Sequence, residues 1–270
     1  MLKMKKFKYL ILLIVGGYLL VCAYMYSQQG KLLYHPDQHS TDALIQAVAA
    51  LPVGSKVDQK HHAIVVEPAQ QPSQGTVIFY HGNAGSAWKY LHYHKVFNAM
   101  GYRMVLAEYP GFGWRLGQPN EHQMVDEGVA LYSHWRHMTP ENQPVILVGK
   151  SLGTGVAVQV AAQASMPPSK LVLLTPFSSI TEVAAQKYWM LPVRWLLKDT
   201  FESAQHLLDY AGPVSILIAG KDEVIGPQTG LQLLAQAKKR GPAEVMLIAD
   251  ADHNSWMAQL TAPQWGQLLH

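Results

Sequence analysis

From residue 76 onward, short runs of Val, Ile and Leu alternate with longer stretches whose apolar residues recur at helical spacing. The runs fall at residues 76–80, 103–107, 145–148, 171–174, 214–219 and 245–248. They read as strands apolar on both faces, the pattern of a sheet buried between two layers. The stretches at 88–100, 121–137, 153–164, 228–239 and 255–260 read as helices. Strands separated by helices predict an α/β fold with a mostly parallel central sheet and helices on both faces. Residues 31–72 form a lead-in, with a short helix at 43–51 and a strand at 63–67. No linker or repeat splits the chain, so one domain is expected over 28–270. One interval is irregular. Residues 175–213 exceed the usual connection in such folds, and an insertion beside strand ends commonly serves as a cap. A short cap is expected at about 176–212. Its Tyr188, Trp189, Met190, Leu191, Trp195, Leu196 and Leu197 suit a packed core, an acyl pocket or a membrane surface.

A different pattern occupies the N-terminus. Residues 9–26 carry no charge, and none appears again before Lys31. At about 1.5 Å per helical residue the run covers about 27 Å, close to the thickness of bilayer hydrocarbon. Tyr9, Tyr24 and Tyr26 stand near its ends, as interfacial aromatics do. Lys3, Lys5, Lys6 and Lys8 precede it, and the positive-inside rule keeps them cytoplasmic. The expected arrangement is a basic tail at 1–8 and a single transmembrane anchor at 9–27. The body then lies on the extracytoplasmic side, periplasmic in a bacterium. Cleavage is the weaker reading, because Val21-Cys22-Ala23 makes a poor signal-peptidase site. A lipoprotein signal would need a small residue where Val21 stands.

Composition agrees with a folded, neutral body. The chain has 270 residues, 49% hydrophobic and 14% charged, which excludes disorder as the main state. Cys22 is the single cysteine, so an intramolecular disulfide is excluded. The net charge is +3, from 21 basic and 18 acidic residues. Setting aside the four N-terminal lysines leaves 17 basic against 18 acidic, a balance of −1. No clustered basic surface points to nucleic acid.

The strongest chemical signal is residues 145–155, where a buried strand runs into Gly149-Lys150-Ser151-Leu152-Gly153 and then into a helix. This is G-x-S-x-G in the strand–turn–helix setting that exposes a serine at a sharp turn. The helix N-terminus behind the serine favours developing negative charge. A P-loop reading of Gly149-Lys150-Ser151 fails, since the required earlier glycine is Pro144. Lys150 reads as a solvated side chain beside the turn. A serine nucleophile needs a base, and the base an orienting carboxylate. Asp222 lies just past the strand at 214–219, and His253 just past the strand at 245–248. Both fall at carboxyl ends of strands, where α/β sheets hold ligands. Glu223 and Asp252 are adjacent carboxylates, and Asp222 is preferred. Backbone N–H donors for an oxyanion are expected from Leu152 and from Asn83 in the loop His81-Gly82-Asn83-Ala84-Gly85. His81 reads as a structural hydrogen-bonding residue.

The set His81 to Gly85, Glu108-Tyr-Pro-Gly-Phe-Gly113, Gly149 to Gly153, Asp222 and His253 resembles the α/β-hydrolase superfamily. More narrowly it resembles the membrane-anchored branch typified by BEM46-like and ABHD13-like proteins. The segments ending Leu-Leu-Tyr-His-Pro36 and running from Pro192 to Ser203 share in that resemblance. It implies a serine hydrolase acting on acyl esters or thioesters, lipid-derived ones included, with Ser151, Asp222 and His253 as the triad. Two departures stand out. Glu108-Tyr109-Pro110 occupies a segment that often reads Asp-Tyr-Arg, with Glu108 expected to keep a structural role, and Lys150 occupies the elbow position where histidine is frequent.

No metal or organic cofactor is expected. The spacings His92/His94 and His134/His137 lack supporting ligands and read as solvated helix faces. Trp88, Phe177 and Trp189 are candidates for a substrate pocket. The expected partners are a small-molecule or lipid acyl substrate and the membrane. The competing readings are a peptidase or amidase of the same fold and a non-catalytic binding protein.

Overall fold

The computed structural model describes residues 2–270, with side chains from Lys5 onward. The chain opens with α1 (Leu2–Leu33) and α2 (Thr41–Ala49), followed by β1 (Lys56–Asp58), β2 (Ala63–Val66) and β3 (Gly75–Tyr80). Then come α3 (His94–Ala99), β4 (Tyr102–Ala107), α4 (Glu121–Met138), β5 (Val145–Lys150), α5 (Leu152–Gln163) and β6 (Lys170–Leu174). The insertion holds α6 (Ile180–Lys187), α7 (Val193–Leu196) and α8 (Ser203–His206). The chain ends with β7 (Val214–Ala219), α9 (Pro227–Ala237), β8 (Ala243–Ile248) and α10 (Ala262–Leu269).

The eight strands form one sheet in the order β1-β2-β4-β3-β5-β6-β7-β8. β2 runs antiparallel to β1 and β4, and the remaining neighbours are parallel. This is the mostly parallel central sheet with helices on both faces that the periodicity predicts. Val, Ile and Leu fill β2, β3, β5, β6 and β7, all buried on both faces. One apolar layer joins the sheet to α4, α5 and α9, and the other joins it to α2, α3 and α10. α5 is buried around its whole circumference. Gly155 permits this, because a Cβ there would come within 2.9 Å of both Phe201 and Phe177.

The expected helix at 88–100 is instead a 3-10 helix, Ala87–Tyr93, followed by α3. In a 3-10 helix every third residue eclipses, and Ala87, Tyr90 and Tyr93 are the buried ones. The rings of Tyr93 and Tyr90 thereby lie 4.9 and 5.9 Å from Phe79 of β3. The expected helix at 255–260 is a 3-10 turn, Ser255–Gln259. β8 is not buried on both faces, because it is an edge strand with Val245 and Leu247 exposed. α10 starts at a capping box formed by Thr261 and Gln264, a local signal independent of apolar periodicity.

α1 stands out from this body. Over Lys5–Leu33 it is long and apolar enough to cross a membrane, and most of its side chains are exposed.

Phe79→Ala removes the ring on which the helical segment after β3 rests. We expect a loss of about 3–5 kcal/mol in unfolding free energy, as for other buried aromatics, read from denaturant unfolding of the detergent-solubilised chain.

Candidate active site

Three chain turns at the carboxyl ends of β5, β7 and β8 bring the site together. The first is the junction of β5 and α5, where Ser151 has φ 51° and ψ −121°. A non-glycine residue with that backbone is strained by about 1–3 kcal/mol and persists only where its surroundings enforce it. Here the Ser151 N–H donates to the Leu174 carbonyl of β6 at 2.9 Å. Its carbonyl accepts from the N–H and hydroxyl of Thr154 at 2.9 and 2.6 Å. The flanking glycines are required by close approach. A Cβ at Gly153 would collide with the Tyr80 carbonyl oxygen, and one at Gly149 would lie 2.6 Å from the Thr154 Cα.

The second turn follows β7 and carries Asp222. Its Oδ1 accepts from the N–H groups of Val224 and Ile225 at 2.9 and 3.0 Å. The third follows β8, where Asp252 accepts from the N–H groups of Asn254 and Ser255, both at 2.8 Å. That turn projects His253, whose carbonyl accepts from the buried Trp256 indole at 3.1 Å. The three side chains then form one chain of hydrogen bonds. His253 Nε2 lies 2.9 Å from Ser151 Oγ, and His253 Nδ1 lies 2.7 Å from Asp222 Oδ2. All three residues are buried. Burial works to raise the Asp222 pKa, but His253 and the two N–H donors outweigh it and hold the carboxyl below its ordinary range. Glu223 is exposed, and Asp252 is spent on its own turn.

The loop after β3 closes against the serine, with a Cβ added at Gly82 only 3.6 Å from the Ser151 Cβ. Asn83 lies next in that loop, and Leu152 opens α5 directly behind Ser151. The Asn83 side chain donates to the Leu33 carbonyl at the end of α1 at 2.9 Å. Its carbonyl accepts from His35 N–H at 2.8 Å, within a short parallel pairing of His35 and Pro36 with Ala84 and Gly85. The lead-in after α1 therefore braces the loop, a role that no periodicity or motif in residues 34–39 reveals. His81 is buried, with its ring nitrogens 2.8 Å from the Gly82 carbonyl and 2.9 Å from Glu108 Oε1. The other Glu108 oxygen accepts from Ala87 N–H at 3.0 Å. Arg115 donates to the Glu108 carbonyl at 2.8 Å while gripping Glu127 with two nitrogens.

Several side chains lie elsewhere than expected. Lys150 is buried rather than solvated, because its Nζ turns back to Asn254 Oδ1 at 3.0 Å and sits over the Tyr90 ring. Burial, aided by Lys89 and opposed by Asp222, pushes its pKa down to about 8. Phe177 is enclosed in the core against Phe201, and Trp88 packs half-buried beside His39. Trp189 is 78% exposed on the cap. None of these three lines the groove between α1 and the segment Ile180–Leu197. The histidine pairs do not converge either. His92 turns to Lys89 and Met257, His94 to Asn98 and His137 to Ser133. His134 instead stacks on His61 with centroids 3.9 Å apart, and His61 is hydrogen-bonded to Asp58. Ligand-type atoms of Asp58, His61 and His134 lie within 4.8 Å of one another.

Residues 71–211 match the Hydrolase_4 family, described as serine aminopeptidase, S33. The chain belongs to this family and is an α/β-hydrolase enzyme. The matched stretch contains Ser151 and ends before Asp222 and His253. An uncharacterised protein of Mycobacterium tuberculosis is 28% identical over 260 residues, spanning 91% of this chain and 86% of its own length. Lysophosphatidylserine lipase ABHD12 of Danio rerio is 30% identical over 67% of this chain and 53% of its own length. Among solved structures, the Pyrococcus furiosus esterase Pf2001 superposes with a TM-score of 0.62 at 14% identity, covering 88% of this chain and 97% of its own. Est1E of Butyrivibrio proteoclasticus, solved with ferulic acid, superposes at 0.63 and 16% identity, over 77% and 93%. These matches carry the superfamily; they do not reach the narrower BEM46-like or ABHD13-like branch.

The lowered Asp222 pKa couples stability to pH. A carboxyl depressed in the folded state contributes stability that is complete above its unfolded value of about 3.9 and is lost as pH falls through the folded value. Asp222→Asn should therefore be less stable than the parent at pH 7, with the gap closing below about pH 4, as read from melting temperatures across pH.

Proposed function

We propose that this chain is a membrane-anchored serine hydrolase that cleaves carboxylic ester or thioester bonds of acyl substrates, lipid-derived ones included. The observation that carries the reading is the unbroken path from Ser151 Oγ through the His253 imidazole to Asp222, set on a strained turn at the head of α5. A serine held on such a turn projects its hydroxyl clear of the backbone, and the imidazole is already in reach of its proton. The lysophosphatidylserine lipase name of the ABHD12 relatives favours ester cleavage over the amide cleavage in the family's description.

In the reaction, Ser151 Oγ attacks the acyl carbonyl carbon while His253 Nε2 takes the hydroxyl proton. Asp222 holds the ring with Nδ1–H directed at its carboxylate and stabilises the imidazolium that forms. The N–H groups of Asn83 and Leu152 receive the oxyanion. Collapse breaks the bond to the leaving alkoxide or thiolate, which takes the proton from His253. Water then attacks the acyl-serine, gives its proton to His253, and the acid departs as Ser151 regains its proton. The sequence of steps runs on side chains, backbone and water alone.

The reading includes α1 as the membrane anchor, with the basic tail cytoplasmic and the hydrolase body on the other side. A phosphatase that is active only outside the cytoplasm, fused after His270, should be active in a bacterial host, whereas activity of a cytoplasm-restricted reporter there would reverse the orientation.

Labelling by a fluorophosphonate tests the site. The wild-type chain should label, and Ser151→Ala should lose labelling and at least about 10³-fold of its ester kcat/KM at an unchanged melting temperature. Folded wild type that neither labels nor hydrolyses esters would defeat the reading, and faster turnover of matched amides would move it to the amidase.

A further inference from the structure

A groove with a volume of about 200 Å³ lies between α1 and the cap. Met25, Gln29 and Leu33 line it from α1, Val183 and Leu196 from the cap, and Val224 from the turn after β7. Two of these residues bond toward the site. Val224 donates its N–H to Asp222, and the Leu33 carbonyl accepts from Asn83 in the loop against Ser151. Two lining residues of the groove thus bond directly to Asp222 and to the loop beside Ser151. On α1 the lining runs from Leu33 back to Met25, where the uncharged run of residues 9–26 ends.

The cap follows α1 in the same direction. Gln29 donates to the Leu196 carbonyl at 3.1 Å and accepts from Lys198 N–H at 2.8 Å. The Lys198 ammonium lies 4.2 Å from the Tyr26 ring centroid. The Tyr18 hydroxyl donates to the Met190 carbonyl at 2.9 Å. Tyr18 lies eight residues before Tyr26, about 12 Å along the helix axis, so a bilayer spanned by α1 surrounds the cap tip to that depth. The tip carries Trp189, Met190 and Trp195, exposed by 78%, 67% and 89%. Large apolar side chains so exposed are costly in water and suited to a membrane interface. Their exposure and the Tyr18 contact point to the same medium.

We propose that the groove between α1 and the cap is an acyl-chain subsite that a lipid enters sideways from the bilayer, with the cap tip embedded there. The anchor is then one wall of the substrate site as well as a tether. The occupant is a single hydrocarbon chain whose ester or thioester head reaches Ser151. Its lining is mainly aliphatic, whereas a peptide would need polar partners for its backbone along that length. This inference rests on the ester-hydrolase reading above.

The test uses the full chain in nanodiscs and compares p-nitrophenyl butyrate with p-nitrophenyl dodecanoate. Each methylene buried should raise kcat/KM about fourfold until the groove is filled. Ala184→Trp and, separately, Leu196→Trp fill the groove from the cap side. Each should lower the dodecanoate-to-butyrate ratio at least about 30-fold, with fluorophosphonate labelling showing that the variant is folded and its serine reactive. An unchanged ratio in whichever of the two retains labelling would overturn the subsite. Absence of labelling in the wild type would instead defeat the hydrolase reading itself. For the embedded tip, brominated lipids should quench the wild type more than Trp189→Phe/Trp195→Phe. Equal quenching would overturn the bilayer entry.

Discussion

The backbone at Ser151 is the constraint on which the site depends. Its positive φ turns the chain from β5 into α5 within one residue, and that turn is paid for by bonds on three sides. β6 supplies the Leu174 carbonyl, Thr154 closes on the Ser151 carbonyl, and the glycines at 149 and 153 let strand and helix come together. Those contacts exist only if β5 is flanked by β3 and β6 and if α5 is sunk among neighbours on every face. The central strand order and the buried helix are therefore conditions for the serine's position, and the loops bearing Asp222 and His253 are brought to it by the next strands in the same sheet.

A second dependency links the N-terminal helix to the chemistry. The last turn of a helix leaves carbonyls without intrahelical partners. In α1 one of these, at Leu33, is taken by the Asn83 side chain, and the following segment pairs with the same loop through His35 and Asp37. The loop is also held from below, where the Glu108 carboxylate meets His81 and the Ala87 N–H in a buried setting. A flexible glycine-containing loop becomes a fixed part of the site because it is tied to α1 on one side and to β4 on the other. The cap adds a third tie, since Gln29, Tyr34 and Tyr18 of the N-terminal segment bond to residues between Met190 and Asp199.

The legible parts of this protein are those governed by local rules. Buried strands in a parallel sheet must be apolar on both faces, so β3 to β7 stand out as runs of Val, Ile and Leu. A serine turn of this geometry needs glycine at two fixed places, so Gly149 and Gly153 mark Ser151. Asp222 and His253 follow strand ends directly, so strand positions alone bring them forward. The antiparallel strand β1 is too short to carry a pattern, and β8 mixes exposed and buried positions because it is an edge. The 3-10 segment after β3 was hidden because aromatic spacing of three residues fits a helix on inspection, and only packing on Phe79 selects the tighter turn.

What the amino-acid sequence determined by itself was the fold class, the apolar N-terminal helix and the three residues that meet at the strand ends, because each is encoded in adjacent residues or in chain order. Only the tertiary structure decided where long side chains and remote segments went. Lys150 is drawn inward because Asn254 and Tyr90 lie within its reach, Phe177 is closed off by Phe201, and Trp189 is turned outward beside α1. The groove between α1 and the cap arises from segments about 170 residues apart, whose contact depends on the three-dimensional path of the whole chain.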